Sequence, residues 1–286
     1  MDFHGSFFPV LTNFNNLVLA SSIFLFYAGM EMGGIHVKEV DNPSKNCPKA
    51  VLIGSLLTVL IFVLGTFSLG IIIPKDDINL TQSLLVGFDR YFAYIRASWL
   101  SPVIAVALAF GVLAGVLTWV SGPSKGIFAV GRAGYLPPFF QKTNKLGVQR
   151  NILLIQGGIV TLLGLLFVVM PSVQSFYQIL SQLTVLLYLI MYLLMFAAAI
   201  YLRYSMKKAN RPFRIGSKGN GLMWIVGGVG FLGSLLAFIL SFIPPGQIAV
   251  GSKTMWYAVL VIGCVVVVAA PLIIYAMRKP SWKDAD

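Results

Sequence analysis

Tyr27-Ala28-Gly29-Met30-Glu31-Met32-Gly33-Gly34 places a carboxylate among glycines inside an apolar segment that runs from about residue 17 to 37. A charged side chain at membrane depth costs at least ~2.5–3.5 kcal/mol, and such residues usually face a polar pathway. Glycine weakens a continuous helix and permits unusual backbone angles, so this stretch predicts a broken transmembrane helix with Glu31 at a functional site. A kink that serves only packing and an interfacial acid satisfied by backbone groups are the alternatives.

The composition indicates an integral membrane protein. Hydrophobic residues make up 58% of the chain, charged residues 10%, and the mean hydropathy is +0.86, whereas a soluble domain has about 25% charged residues. The pattern lacks the alternation of barrel strands, so we predict an all-α membrane protein with about seven transmembrane helices. The predicted spans cover residues 17–37, 50–73, 102–130, 152–170, 176–202, 222–243 and 255–277.

The distribution of positive charge predicts the orientation. An odd number of spans puts the termini on opposite faces, and cytoplasmic loops carry the excess of lysine and arginine. With the N-terminus external and the C-terminus cytoplasmic, the external side keeps only Lys75, Arg90, Arg96 and Lys253 of the 21 Lys and Arg residues. The net charge of +12 then indicates contact with anionic membrane lipid. An amphipathic stretch at residues 83–92 is expected to lie in the external interface.

The sequence disfavours several other classes of protein. Cys47 and Cys264 are far apart in the predicted topology, and His4 and His36 are isolated, so we expect no disulfide, metal site or cofactor. The basic residues are scattered over separate loops, which argues against a nucleic-acid partner. An enzyme is also disfavoured, because a single intramembrane carboxylate has no second group nearby in sequence for acid–base work.

Aromatic and glycine positions give further candidates. Trp119 lies in the third predicted span, beside the small residues Gly111 and Gly115, and is either a gate or a core or interface anchor. Tyr188 and Tyr192 share one helix face, and their phenols need partners either in a cavity or between helices. Gly228-Val229-Gly230-Phe231-Leu232-Gly233 spells a dinucleotide-binding fingerprint but follows no strand. It therefore predicts helix packing instead of nucleotide binding.

Several of these stretches resemble a known family. They are Phe26-Tyr27-Ala28-Gly29-Met30-Glu31, His36-Val37-Lys38-Glu39-Val40-Asp41-Asn42-Pro43, Trp119-Val120-Ser121-Gly122-Pro123-Ser124-Lys125-Gly126 with Leu136-Pro137, and Ser241-Phe242-Ile243-Pro244-Pro245. Together they resemble the second half of the amino acid/polyamine/organocation transporters, most of all the glutamate/γ-aminobutyrate antiporter branch. The resemblance covers nearly the whole chain.

The resemblance implies a fold and a partner. It implies a leucine-transporter-like fold in which this chain supplies the second inverted five-helix repeat, residues 1–203, and two trailing helices with a short cytoplasmic tail, residues 204–286, in a single transmembrane domain. The first five spans of the family, including its first broken helix, have no counterpart here. We therefore expect a missing N-terminal five-helix half, encoded in the same gene or as a separate chain.

The resemblance also implies a site and a function. Glu31 matches an acid linked to acid-dependent activity and is the candidate pH sensor, because protonation removes the cost of a charge at membrane depth. The implied function is exchange of glutamate for γ-aminobutyrate by alternating access in the inner (plasma) membrane, linked to acid resistance. Another amino acid/amine pair and a non-transporting split or truncated subunit are the alternatives. The implied substrate-binding residues are Phe26, Tyr27, Gly29, Met30, Glu31, Gly33, Trp119, Tyr188 and Tyr192.

Overall fold

The computed structural model describes residues 18, 29–34, 37–74, 82–169, 173–207, 211, 213–216, 219–244 and 252–283. These residues form α-helices joined by short 3-10 and π-helical turns, with no strand among them. The helices are α1 (Pro43–Ile72), α2 (Ser83–Tyr94), α3 (Leu100–Val130), α4 (Arg150–Val169), α5 (Val173–Ser205), α6 (Gly221–Leu240) and α7 (Lys253–Ala276).

Five of these helices are long and apolar enough to cross a membrane, namely α1, α3, α5, α6 and α7. The all-α integral membrane class is therefore confirmed. The helix α4 is not among these five, because its apolar part is shorter and covers only Arg150–Leu165. The first predicted span falls largely outside the described residues. The amphipathic stretch at residues 83–92 forms most of α2, as its apolar periodicity predicts.

The start of α1 differs from the prediction. The helix begins at Pro43 and not near residue 50, because proline is well tolerated in a first turn, where its missing N–H would have no helical acceptor. The N–H groups of Lys45 and Asn46 both donate to the Asn42 carbonyl at 3.0 Å. Polar residues before the apolar run thus form the first turn of the helix, which hydropathy alone does not reveal.

The chain divides into two compact units. The first contains residues 1–4, 52–159 and 279–286, and the second contains residues 5–51 and 160–278. In the first unit, buried Ser124 donates a hydrogen bond from Oγ to Gln156 Oε1 at 2.8 Å, which ties α3 to α4. Gln141 Nε2 donates to the carbonyls of Gly131 at 2.9 Å and Trp282 at 2.7 Å. The segment after α7 is thereby fixed beside the end of α3.

The core of the second unit lies where α5 packs against α6 and α7. Apolar side chains from α5 and α7 form its largest buried cluster, and their burial removes apolar surface from solvent. Two hydrogen bonds tie α5 and α7 to the residues that follow α6. Gln182 Nε2 donates to the Ser241 carbonyl at 2.9 Å, and Trp256 Nε1 donates to the Phe242 carbonyl at 3.0 Å. The clustered residues are Ile179, Leu183, Leu186, Trp256, Leu260 and Cys264.

Glycines on α6 allow the close approach of α5. A Cβ at Gly230 would collide with the Phe196 ring, and one at Gly227 would lie 3.2 Å from the Ile200 side chain. Gly228, by contrast, faces open space. The helix-packing interpretation of the glycine fingerprint is therefore confirmed at Gly230, and Gly227, just before the fingerprint, packs against α5 in the same way.

Candidate functional site

The segment around Glu31 is not a regular α-helix. Residues Met30–Gly34 form a 3-10 turn, and Gly29 before it has φ +102°. Only glycine adopts that angle without strain. The Gly29 N–H donates to Glu31 Oε1 at 3.2 Å and Oε2 at 3.1 Å. The carboxylate therefore closes the turn on its own backbone. The 3-10 turn is compatible with the predicted break, which stays a prediction because residues 19–28 lie outside the described residues.

A tyrosine from α5 reaches the same carboxylate. Tyr192 donates a hydrogen bond from its hydroxyl to Glu31 Oε2 at 3.1 Å. The ring of Tyr188, one helical turn earlier, has its centroid 5.9 Å from that of Tyr192. Buried Val185 and Leu189 on the adjacent face of α5 belong to a cluster with Ala237 of α6. This packing of α5 on α6 positions the tyrosine pair beside the Glu31 turn.

The arrangement leaves the carboxylate with capacity for a further donor. Among the described residues, no Lys or Arg side chain lies within ion-pair distance of Glu31, and its hydrogen-bond donors are the Gly29 N–H and the Tyr192 hydroxyl. An ionised carboxylate has about four acceptor positions on its two oxygens. The two donors partly offset the cost of placing the charge at this depth. A proton or an ammonium group fits the chemistry of the remaining positions.

The other predicted site residues have different surroundings. Gly33 is exposed, with no atom within 4 Å of a Cβ built there, and Met30 is half-buried in the same turn. Trp119 is 45% exposed on α3, in the other structural unit, so its place beside Glu31 stays a prediction. Phe26 and Tyr27 lie outside the described residues.

Sequence reasoning did not predict the contact between Glu31 and Tyr192. The two residues are 161 positions apart, and no local spacing rule relates them. Two separate signals pointed to the contact: a lone carboxylate in a membrane segment needs donors, and a buried phenol needs an acceptor. Neither signal identifies the partner, because several other polar side chains in the predicted helices meet the same requirement.

Comparison with known proteins provides independent information. Residues 1–267 match the model of the amino acid permease family. The chain is 36% identical over 282 residues to a glutamate/gamma-aminobutyrate antiporter of Lactococcus lactis subsp. lactis, covering 98% of this chain and 56% of that protein. It is 34% identical over 271 residues to an uncharacterized transporter of Legionella pneumophila, covering 95% and 58%.

A more distant relative differs in its named substrates. A probable agmatine/putrescine antiporter of Lactococcus lactis subsp. lactis is 22% identical over 244 residues, which are 84% of this chain and 52% of that protein. The chain thus spans about half the length of the curated relatives it matches.

Proposed function

Because the chain belongs to the amino acid permease family, which is a family of transporters and not of enzymes, we propose that it is the C-terminal portion of an amino acid antiporter. The proposed exchange is glutamate, or a similar amino acid, for γ-aminobutyrate by alternating access across the plasma membrane. The observation that carries the proposal is the Glu31 carboxylate, held by Gly29 and Tyr192 in a 3-10 turn. The named function of the 36% identical relative supports the substrate pair.

Glu31 has two roles in this proposal. Broken helices in transporters present backbone groups to a substrate near the middle of the membrane. Both exchanged compounds carry an ammonium group, and the carboxylate attracts it when ionised. On acidification the carboxylate takes up a proton and loses this attraction, which changes the balance between the inward-facing and outward-facing states. Glu31 is thereby the proposed pH sensor.

The proposal includes an N-terminal half that covers part of these helices. Gly111 and Gly115 on α3, and Gly158 and Gly164 on α4, have no described atom within 4 Å of a Cβ built there, apart from their own chain neighbours and helix backbone. Each glycine inside a helix costs about 1 kcal/mol relative to alanine, so glycines facing only lipid bring no benefit. Small residues are instead typical of faces that contact another transmembrane helix.

A second substrate pair is also supported. The 22% identical relative is named a probable agmatine/putrescine antiporter. A carboxylate that has no cation near it among the described residues suits an amine as well as an amino acid. The two proposals differ in which compounds compete for exchange: glutamate and glutamine for the first, arginine and agmatine for the second.

The experiment begins with a C-terminal tag at the chromosomal locus, so that the protein is purified as the cell assembles it. Proteoliposomes loaded with γ-aminobutyrate then receive labelled glutamate at acidic and at neutral pH. We expect counterflow whose rate differs between the two pH values, with this pH dependence altered by Glu31→Gln. The exposed Glu39, in the next 3-10 turn, provides the matched control Glu39→Gln, which should leave the profile unchanged.

Each contrary outcome points to a specific error. Absence of exchange by folded, monodisperse protein with any of the four competitors contradicts an antiporter and favours the non-transporting subunit. Exchange of arginine or agmatine without glutamate shows that the substrate pair is wrong. A pH profile that does not move with Glu31→Gln removes Glu31 as the sensor but leaves the transport function standing.

A further inference from the structure

A basic cavity lies where α5 ends and α6 begins, away from the Glu31 turn along α5. Its volume is about 300 Å³, large enough for a phosphodiester group. Four of its lining side chains are cationic, and no carboxylate lines it among the described residues. The lining residues are Arg203, Tyr204, Lys207, Arg211, Arg214 and Asn220.

Two of the arginines are fixed in place by hydrogen bonds. Arg203 Nε donates to Asn220 Oδ1 at 2.9 Å. Arg211 Nη2 donates to the carbonyls of Leu202 at 2.9 Å and Met206 at 2.8 Å, where α5 ends and its carbonyls need donors. Arg203, Arg211 and Arg214 line the same cavity, so their like charges lie close together and repel one another. An anion in the cavity relieves this repulsion.

Lys207 and Arg214 provide two further cationic side chains in the cavity. Among the residues that the structure describes, Lys207 and Arg214 make no hydrogen bond or ion pair through their side chains, although both line the cavity. The arrangement therefore combines a rigid pair of guanidinium groups with a lysine and an arginine that are available for an anionic ligand. Such basic pockets at the ends of transmembrane helices suit the head groups of acidic lipids.

Aromatic residues indicate that the cavity lies at the level of the membrane interface. Trp224 Nε1 donates to the Tyr204 hydroxyl at 2.6 Å, one turn into α6 and at the last turn of α5. Tryptophan and tyrosine concentrate where the hydrocarbon meets the head groups. Nearby Leu222 and Ile225 are 51% and 63% exposed, which gives acyl chains an apolar surface beside the cations.

We propose that this cavity binds the phosphate group of an anionic membrane phospholipid, with Lys207 and Arg214 as its principal ligands. The adjacent apolar surface distinguishes a lipid from free phosphate, which would gain nothing from it. This site goes beyond the proposed exchange function, because no substrate step depends on it.

The test uses the same tagged protein, purified in a neutral detergent. Phosphatidylglycerol is titrated in, and the half-saturating concentration is read from the rise in the unfolding temperature. The double variant Lys207→Gln/Arg214→Gln should raise that concentration about twenty-fivefold, because each cation near an anionic surface contributes about a fivefold factor. The single variant Arg214→Gln should raise it about fivefold, which keeps the test decisive if the double variant does not fold.

The control removes the same charge elsewhere. Lys142 and Lys145 are exposed in the connection between α3 and α4, and Lys142→Gln/Lys145→Gln should change the half-saturating concentration less than twofold. An equal effect of the control pair would mean non-specific attraction and would overturn the site. A saturable response to inorganic phosphate equal to that with phosphatidylglycerol would overturn the lipid assignment, and so would the lack of any saturable response to the lipid.

Discussion

Replacing Tyr192 with phenylalanine tests the contact that defines the candidate site. The change removes only the hydroxyl that donates to Glu31 Oε2 at 3.1 Å. A hydrogen bond between transmembrane helices contributes about 0.6 kcal/mol on average and up to about 1.7 kcal/mol, and one to a charged group is about twice as strong as a neutral one. The distance is long for such a bond, since O–H···O⁻ contacts are usually about 2.5–2.7 Å. We therefore expect a loss of about 1 kcal/mol, or roughly fivefold in the unfolding equilibrium.

The assay is unfolding in mixed micelles with increasing dodecyl sulfate, measured for a double-mutant cycle. Tyr192→Phe should cost clearly less in the Glu31→Gln background, because a neutral amide is a weaker acceptor than a carboxylate. Tyr201→Phe is the matched control, since Tyr201 lies on the same helix and is 70% exposed. The reasoning is refuted if Tyr201→Phe costs as much as Tyr192→Phe, or if the cost of Tyr192→Phe is the same in both backgrounds.

Three further substitutions test the backbone and the packing by the same unfolding measurement or by proteolysis. Gly29→Ala should destabilise by about 1–2 kcal/mol because φ is +102°, whereas Gly33→Ala, with open space around it, should change stability by less than about 0.5 kcal/mol; equal effects would contradict the strained turn. Gly230→Ala should cost about 1–3 kcal/mol through overpacking, and Gly228→Ala should be neutral or stabilising; the reverse order would contradict the α5–α6 contact. Gln141→Ala should speed tryptic cleavage of the segment after α7, because the substitution removes the Nε2 donor that bonds to the Trp282 carbonyl in that segment. Unchanged cleavage would show that this hydrogen bond does not fix the segment.

The sequence contained most of what is needed to predict the helices. Spans of apolar residues identified α3, α6 and α7 to within a few positions, because the hydrocarbon core imposes a length that hydropathy detects directly. The irregular turn at Glu31 was also predictable, since glycines and a charge disfavour a continuous helix locally. Both inferences depend only on residues that are close together in the sequence.

Contacts between distant residues were not predictable in this way. The basic cavity forms because the chain between α5 and α6 turns back and places Arg214 near Arg203. The charge distribution predicts only that both residues lie on the cytoplasmic side. Likewise, Ser124 belongs to one of the stretches that resemble the family, but its structural role, the buried hydrogen bond to Gln156, depends on how α4 packs against α3.

The geometry at Glu31 determines which contacts would change if this carboxylate, the proposed pH sensor, took up a proton. When the carboxylate is ionised, the Tyr192 hydroxyl donates to Oε2, and the Gly29 N–H is shared between the two oxygens. A tyrosine hydroxyl is also an acceptor, so a proton on Oε2 reverses the direction of this hydrogen bond without breaking it. Proton uptake therefore removes the negative charge while the turn keeps its closing contacts. Under the proposed pH-sensing role, protonation of Glu31 therefore changes the attraction for a cationic group more than it changes the local fold, and Tyr192→Phe weakens the site most when Glu31 is ionised.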